Sequence, residues 1–213
     1  MNQPFFITLG RQLGSGGRQI GEQLARTFHI AYYDKELLNL AAQSSGLHPD
    51  LFKQADEHTS RGLLGGLFGT RFPFVTEGAI PDRNCLSHEA LFQIQSDVVR
   101  HLANEGPALF VGRCADYILR EHPRCINFFI TANLEDRIAR IRERCACSRD
   151  EALQQIEQTD RRRAGYYNFY SNRTWGEAAS YHLCVNSSVL GLDGTTRFLA
   201  RFVQETLDLD SGR

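Results

Sequence analysis

The chain has 213 residues, with 24 Lys and Arg against 25 Asp and Glu, so its formal net charge is −1. This balance excludes a protein held on nucleic acid or an anionic membrane by bulk charge, because such binding needs a basic excess. The composition, with 42% hydrophobic and 23% charged residues, is that of a folded domain and excludes intrinsic disorder as the default state. The basic residues are strongly unbalanced, since 22 are Arg and only Lys35 and Lys53 are Lys.

Short apolar runs alternate with longer segments of helical period, which is typical of an α/β fold with a parallel sheet. Five strands are predicted, at residues 5–9, 30–33, 108–111, 125–130 and 183–186. Helices are predicted near 17–28, 35–46, 49–58, 86–105, 114–121, 133–147, 149–171 and 194–207. Ser148 and Glu151 have capping-box spacing, so we expect a new helix to begin at residue 149.

Residues 60–84 lose this periodicity, because glycines and prolines are mixed there with large apolar residues. A long loop of this kind inside a compact domain is usually functional or disordered. A lid over a binding site and an unstructured insert therefore both remain open.

The first predicted strand leads into a turn with five glycines in twelve residues, followed by a helix. Backbone N–H groups of such a turn and the positive end of the next helix together bind phosphate. We predict a phosphate-binding loop for ATP made of Gly10, Arg11, Gln12, Gly14, Ser15, Gly16, Gly17, Arg18 and Gln19. A dinucleotide fingerprint competes, with Asp34 as its acidic residue, although Gln19 stands where its third glycine belongs.

A standard phosphate loop carries Lys after its last glycine and a Ser or Thr next to it. This chain has Gly17, Arg18 and Gln19 in that region. The positive charge must therefore come from Arg18 or Arg11, since Arg offers a forked donor set to phosphate oxygens. Gln19 is also a poorer ligand for Mg²⁺ than a hydroxyl group.

Four separated motifs resemble the cytidylate kinase-like proteins, a group within the P-loop nucleoside monophosphate kinases. They lie at residues 7–21, at 33–37, at 111–119, and at 160–167 with Trp175, Gly176, Tyr181 and 186–188. The resemblance covers about residues 5–192. It implies a three-layer P-loop NTPase-type fold, with residues 1–213 forming one kinase-like domain, 35–105 a monophosphate-binding insert and 137–175 an Arg-rich lid. The loop departs from authentic cytidylate kinases at Gly17, where their lysine aligns, and at Gln19, where their hydroxyl aligns.

The positions of the arginines indicate whether the chain can catalyse phosphoryl transfer, because that reaction needs positive groups next to the phosphate oxygens. Arg137, Arg140 and Arg144 share one helix face, and a run at 160–163 follows in the segment that the resemblance identifies as the lid. Arg142 and Arg149 are better explained as a solvated helix face. The predicted catalytic residues are Arg18, Arg140, Arg144, Asp160, Arg162 and Arg163, with Asp160 orienting a neighbouring guanidinium.

Three further residues are predicted on the substrate side. Arg113 follows Gly112 at the carboxyl end of a strand, where open α/β sheets bind ligands, so it is the candidate for the acceptor phosphate. Asp116 either contacts the acceptor base or caps a turn. Asp34 is either a helix N-cap, which is the safer interpretation, or a substrate-side group.

The preferred hypothesis is a kinase that uses ATP and Mg²⁺ to phosphorylate CMP or dCMP, the base choice resting on the resemblance alone. Two alternatives remain open: a degenerate nucleotide sensor and a dinucleotide-dependent oxidoreductase. The expected partners are small-molecule nucleotides, with no nucleic acid and no membrane. The cysteines and histidines lack the spacing of a metal site, so no protein-built metal site is predicted. The absence of an apolar span or signal peptide favours the cytoplasm.

Overall fold

The computed structural model describes residues 4–34 and 88–208. The helices predicted near 35–46 and 49–58, the segment 60–84, and most of the predicted insert lie outside the described residues. The division into insert and lid therefore stays a prediction.

Five parallel strands form one sheet in the order β2-β3-β1-β4-β5. They are β1 (Phe6–Arg11), β2 (Ala31–Tyr33), β3 (Ala108–Val111), β4 (Cys125–Thr131) and β5 (Leu183–Asn186). The predicted α/β fold with a five-stranded parallel sheet is confirmed. Because the strands are parallel, their carboxyl ends meet at one edge, where ligands bind in open α/β sheets.

The helices are α1 (Gly17–Phe28), α2 (His88–Glu105), α3 (Ala115–Ile118), α4 (Leu134–Cys145), α5 (Arg149–Ser171) and α6 (Ser187–Leu207), with a 3₁₀ turn at Ala178–Ser180. Helix α6 begins well before the predicted residue 194. The Asn186 side chain caps it by accepting a hydrogen bond from the Ser188 N–H (2.9 Å), and a kink follows at Gly191, whose φ is 68°. Among the helices of the described ranges, none has the length and apolarity to cross a membrane.

Strand β1 is buried on both faces, as its unbroken apolar run predicts. Phe6 packs with residues of α2 and α3 on one face, whereas Ile7 and Leu9 pack with residues of α1 and α6 on the other. Between them, the buried Thr8 hydroxyl donates to Asn127 Oδ1 (2.9 Å). The helices thus cover both faces of the sheet and leave its carboxyl edge to form the site.

The predicted capping box is present at the start of α5. Glu151 N–H donates to the Ser148 hydroxyl, and Ser148 N–H donates to the Glu151 carboxylate. We expect Ser148→Ala to lower the free energy of unfolding by about 1 kcal/mol, because it leaves a helix N–H without its acceptor. Urea denaturation measures this loss. Ser148→Asp retains an acceptor and should keep most of the stability; equal losses in both variants would contradict the capping explanation.

Candidate active site

A cavity of about 230 Å³ lies at the carboxyl edge of the sheet, bordered by the ends of β1, β2 and β3 and by the second half of α5. Four arginines line it, Arg11, Arg113, Arg162 and Arg163. Two carboxylates, Asp34 and Asp116, and four aromatic side chains, Tyr166, Tyr167, Trp175 and Tyr181, complete most of the lining. The excess of cationic groups makes this cavity suited to an anionic ligand.

The glycine-rich turn after β1 has the backbone of a phosphate loop. Gly14 and Gly16 have φ of 78° and 77°, the left-handed conformation that glycine adopts without strain. A side chain at Gly14 would also meet the Arg137 carbonyl oxygen at 2.8 Å. Gly16 is the N-cap of α1 and makes no side-chain cap hydrogen bond, while Gly17 N–H donates to the Ser15 hydroxyl (3.4 Å). The first turn of this twelve-residue helix lies at the loop, where a helix N-terminus favours an anion.

Hydrogen bonds within the loop and from helix α6 hold the loop in shape. Ser15 is fully buried, and its hydroxyl donates to the Gln12 carbonyl oxygen (2.8 Å). Ser187, the first residue of α6, donates its hydroxyl proton to the Ser15 carbonyl oxygen (2.7 Å). These bonds tie the loop to the strand end and to the last helix.

A second set of contacts, here called the loop clamp, joins the loop to α4 and α5 and consists of Arg137, Arg140 and Asp160. Arg137 Nε donates to the Leu13 carbonyl oxygen (2.7 Å), and Leu13 N–H donates to Asp160 Oδ1 (2.8 Å). Arg137 and Asp160 also form an ion pair with each other. Arg140 Nη1 donates to the Gly14 carbonyl oxygen (3.0 Å). The clamp therefore contacts the loop backbone and positions it.

Strand β3 ends in a strained turn. Gly112, Arg113 and Cys114 have φ of 74°, 58° and 55°, and the Ala115 N–H closes the turn on the Gly112 carbonyl oxygen (3.1 Å). Two non-glycine residues in the left-handed region cost on the order of 1 kcal/mol each. Such strain typically marks functional sites, and here it presents Arg113 to the cavity.

Asp116 is a buried carboxylate in the aromatic part of the cavity. The Tyr167 hydroxyl donates to Asp116 Oδ2 (2.6 Å). Burial raises the pKa of Asp116 above its usual range, and the hydrogen bond from Tyr167 opposes that rise. The side chain is thus a fixed hydrogen-bond acceptor that also faces an aromatic wall.

Arg163 is crowded by other positive charges. Its Nη1 donates to the Arg11 carbonyl oxygen (3.0 Å). Burial, followed by the positive charge of Arg11, lowers the pKa of Arg163 to about 9, although Asp160 and Asp34 act in the opposite direction. An anion bound near Arg163 and Arg11 would offset this repulsion.

The sequence matches the cytidylate kinase-like family over residues 6–189. The chain belongs to this family. No curated protein matches it.

Solved structures agree with this assignment at the level of the fold. An uncharacterized protein from Eubacterium ventriosum ATCC 27560 is 24% identical, with a TM-score of 0.68 and coverage of 94% of this chain and 98% of that one. Shikimate kinase from Bacteroides thetaiotaomicron is 15% identical, with a TM-score of 0.52 and coverage of 96% and 99%. A gluconokinase from Sinorhizobium meliloti 1021 is 14% identical, with a TM-score of 0.51 and full coverage, 100% of both chains. Family and fold together identify a P-loop kinase.

The structure of this cytidylate kinase-like protein brings only some predicted site residues to the cavity. Arg11, Asp34, Arg113, Asp116, Arg162 and Arg163 line it. Arg140 and Asp160, predicted to be catalytic, lie instead in the loop clamp. Arg144 and Gln19 are exposed. Arg18 is 59% exposed, bonds to Glu22 (3.0 Å) and comes within 4.0 Å of Asp34. Catalytic roles for these residues stay predictions.

Two groups of residues were missed by sequence reasoning. Arg137 was placed on the same helix face as Arg140, but its buried contact with Leu13 was not foreseen. The aromatic residues of the cavity entered the sequence analysis only as part of the family motifs; they are Tyr166, Tyr167, Trp175 and Tyr181. Helical spacing indicates only a neighbouring contact, since Tyr166 packs on Tyr170 four residues further along α5, with ring centroids 4.8 Å apart, and Tyr170 does not line the cavity.

The donor set of this cytidylate kinase-like protein does not fit a magnesium ion held by side chains. Gln19 replaces the loop hydroxyl, and residues 4–34 and 88–208 contain no cluster of three or more His, Cys, Asp or Glu that could hold a metal. Asp34 and Asp116 are bound to Arg11 and Tyr167 respectively. A magnesium ion would therefore enter on the oxygens of a nucleotide triphosphate, as Mg²⁺ often does.

Proposed function

We propose that this P-loop kinase is an ATP-dependent nucleoside monophosphate kinase whose acceptor is CMP or dCMP. The observation that supports it most strongly is one cavity that begins at the first residues of the phosphate loop, Gly10 and Arg11, and is lined by four arginines, four aromatic residues and the buried carboxylate of Asp116. One anionic group would bind at the loop and a second at Arg113. Two phosphate groups meeting in one cationic cavity is what phosphoryl transfer between nucleotides requires.

In the proposed reaction an oxygen of the acceptor monophosphate forms a bond to the γ-phosphorus of ATP. The bond from that phosphorus to the β,γ-bridging oxygen breaks, and its electron pair leaves with ADP. A phosphate monoester has its second pKa near 6, so the attacking oxygen is largely ionised at neutral pH and needs no general base. The chain's task is then positional and electrostatic, and the proposed role of Arg162 and Arg163, which line the cavity, is to stabilise negative charge on the transferring group.

The aromatic pocket supports a nucleobase as part of the acceptor. Tyr166, Tyr167 and Trp175 offer ring faces at the cavity, and Asp116 offers carboxylate oxygens that can accept from an exocyclic amino group. Cytosine carries such a group and uracil does not. The choice of cytosine over other amino-bearing bases rests on the family resemblance.

A coupled assay of ADP release with ATP and Mg²⁺ tests the proposal, using CMP, dCMP, UMP, AMP and GMP, with shikimate and gluconate as non-nucleotide acceptors. We expect turnover with CMP or dCMP and much weaker turnover with UMP, because UMP cannot donate an amino hydrogen to Asp116. Chromatography should identify the product as the diphosphate. The absence of turnover with every monophosphate would overturn the proposal.

A nucleotide sensor without turnover is the second candidate. Gly17 and Gln19 favour it, because they stand where the lysine and hydroxyl of active cytidylate kinases align. Thermal stabilisation by ATP, together with no ADP formation in the acceptor panel, would select this function.

A further inference from the structure

The Arg11 side chain follows a defined path between two glycines. A Cβ atom at Gly17 would lie 2.7 Å from Arg11 Cβ, and one at Gly112 would lie 2.2 Å from Arg11 Nη1. Real Cβ atoms do not approach neighbours within 3.0 Å. The side chain therefore leaves β1, passes over the first residue of α1 and places its guanidinium against the end of β3. Both neighbouring positions lack side chains where Arg11 needs the space.

Gly17 has no conformational reason to be glycine. It is the first residue of α1 and lies outside the left-handed region that favours glycine, and glycine in a helix costs roughly 1 kcal/mol relative to alanine. The steric reason is Arg11, whose stem fills the volume that a side chain at 17 would take. Position 17 is also where the lysine of a standard phosphate loop aligns.

We propose that Arg11 replaces the phosphate-loop lysine. The positive charge that a standard loop carries on Lys at position 17 is carried here by Arg at position 11. This inference rests on the proposed function and deepens it by naming the group that carries the loop charge. Arg11 lines the cavity with Arg113 and Arg163, and its guanidinium reaches the end of β3 at Gly112. Its forked donors can bind two oxygens of the transferring phosphate, whereas a lysine offers a single point charge.

Asp34 fixes the orientation of Arg11. Its Oδ1 accepts from Arg11 Nη2 (2.9 Å), and the side chain is only 9% exposed. Arg18, the other cation near the loop, is much less suited to this role. It is largely exposed and bonded to Glu22 on its own helix, outside the cavity lining. Asp34 is accordingly a positioning residue for Arg11.

An exchange of the two positions tests the proposal. Arg11→Gly and Gly17→Lys should each lower kcat/KM by about 10²–10³-fold, the first by removing the charge and the second by displacing Arg11. The double variant, which rebuilds the standard lysine loop, should regain at least about tenfold over either single variant. Arg26→Ala, which removes an exposed arginine from the last turn of α1, should stay within about threefold of the parent chain. An Arg11→Gly variant with near-normal kcat/KM, or a double variant no better than the singles, would overturn the proposal.

Binding of inorganic pyrophosphate, measured by calorimetry, separates this inference from the kinase proposal. Arg11→Gly should weaken pyrophosphate binding by at least about tenfold, corresponding to the loss of a charged hydrogen bond, and by more than Arg18→Ala does. This result would support Arg11 as the loop cation even if no monophosphate is phosphorylated. A parent chain that fails to bind pyrophosphate, or a larger loss with Arg18→Ala, would refute it.

The two glycines supply a matched test of the side-chain path. Gly112→Ala should weaken pyrophosphate binding, because the added Cβ displaces the end of the Arg11 side chain, and should cost nothing further when it is combined with Arg11→Gly. Gly191→Ala is its control, because Gly191 has a similar φ of 68° but nothing within 4 Å of an added Cβ. Gly17→Ala is compared in the same way with Gly165→Ala, a helical glycine in open space. Losses that add to that of Arg11→Gly, or equal losses in the controls, would contradict the proposed path.

Discussion

Replacing Arg137 with methionine is expected to lower the free energy of unfolding by about 3–5 kcal/mol, because it leaves one member of a buried ion pair without its partner. The Arg137 side chain is 7% exposed and pairs with Asp160, whose side chain is 16% exposed. The same change removes the hydrogen bond to the Leu13 carbonyl oxygen. Urea denaturation, followed by circular dichroism, measures the loss.

A second ion pair between the same two helices provides the control. Arg149 on α5 binds Glu135 on α4 at 2.5 Å, but their side chains are 51% and 71% exposed. Exposed pairs contribute about 0–1 kcal/mol, since water screens both charges. Arg149→Met should therefore change the free energy of unfolding by less than about 1 kcal/mol. Comparable losses at Arg137 and Arg149 would show that burial is not what makes the clamp important.

The loop clamp should affect phosphate binding as well as the stability of the fold. Arg137 and Asp160 bind both the carbonyl oxygen and the N–H of Leu13, so they fix the phosphate loop at that residue. At a temperature where both variants remain folded, Arg137→Met should weaken pyrophosphate binding and Arg149→Met should not. The clamp would then be a positioning device that never touches the phosphate.

The strands of the sheet and the phosphate loop could be predicted from the sequence because both depend on the pattern of residues close together in the chain. An unbroken apolar run such as β4 indicates a strand buried on two faces, and the glycines between β1 and α1 indicate a tight anion-binding turn. Strand ends locate Arg113 and Asp34 at the carboxyl edge for the same reason. None of these predictions needs to know which distant segments pack together.

The contacts that the long arginine side chains make could not be predicted in this way. Helical spacing placed Arg137 and Arg140 on one face, but what that face meets is a loop more than 120 residues earlier in the chain. The role of Arg11 likewise depends on the pairing of Leu9 with Val111, which brings Gly112 beside the end of β1. The sequence shows the missing lysine and leaves Arg18 and Arg11 as its candidate substitutes, whereas the choice of Arg11 depends on the paired strands.

Replacing Arg163 with methionine should have opposite effects on stability and function. Its guanidinium has a pKa of about 9, below its ordinary value of 12.5, because burial and the charge of Arg11 disfavour the cation in the folded chain. Methionine removes that charge at similar length, so the free energy of unfolding should rise by on the order of 1 kcal/mol. The same change should lower kcat/KM by about 10²–10³-fold if Arg163 stabilises the transferring phosphate. Arg161→Met, an exposed neighbour on α5, should alter neither quantity appreciably.

The lowered pKa of Arg163 also predicts how phosphate binding depends on pH. Below about pH 9 the guanidinium is charged and its cost to the folded state is fully present; that cost is relieved as the pH rises from about 9 towards 12.5. A bound anion favours the charged form and raises the pKa again. The affinity for pyrophosphate should therefore fall above pH 9, by up to about tenfold per pH unit, and the decline attributable to Arg163 should be missing in Arg163→Met. Calorimetric titrations of both proteins between pH 7 and 10.5 measure this difference, and parallel pH profiles would rule out Arg163 as the group that meets the anion.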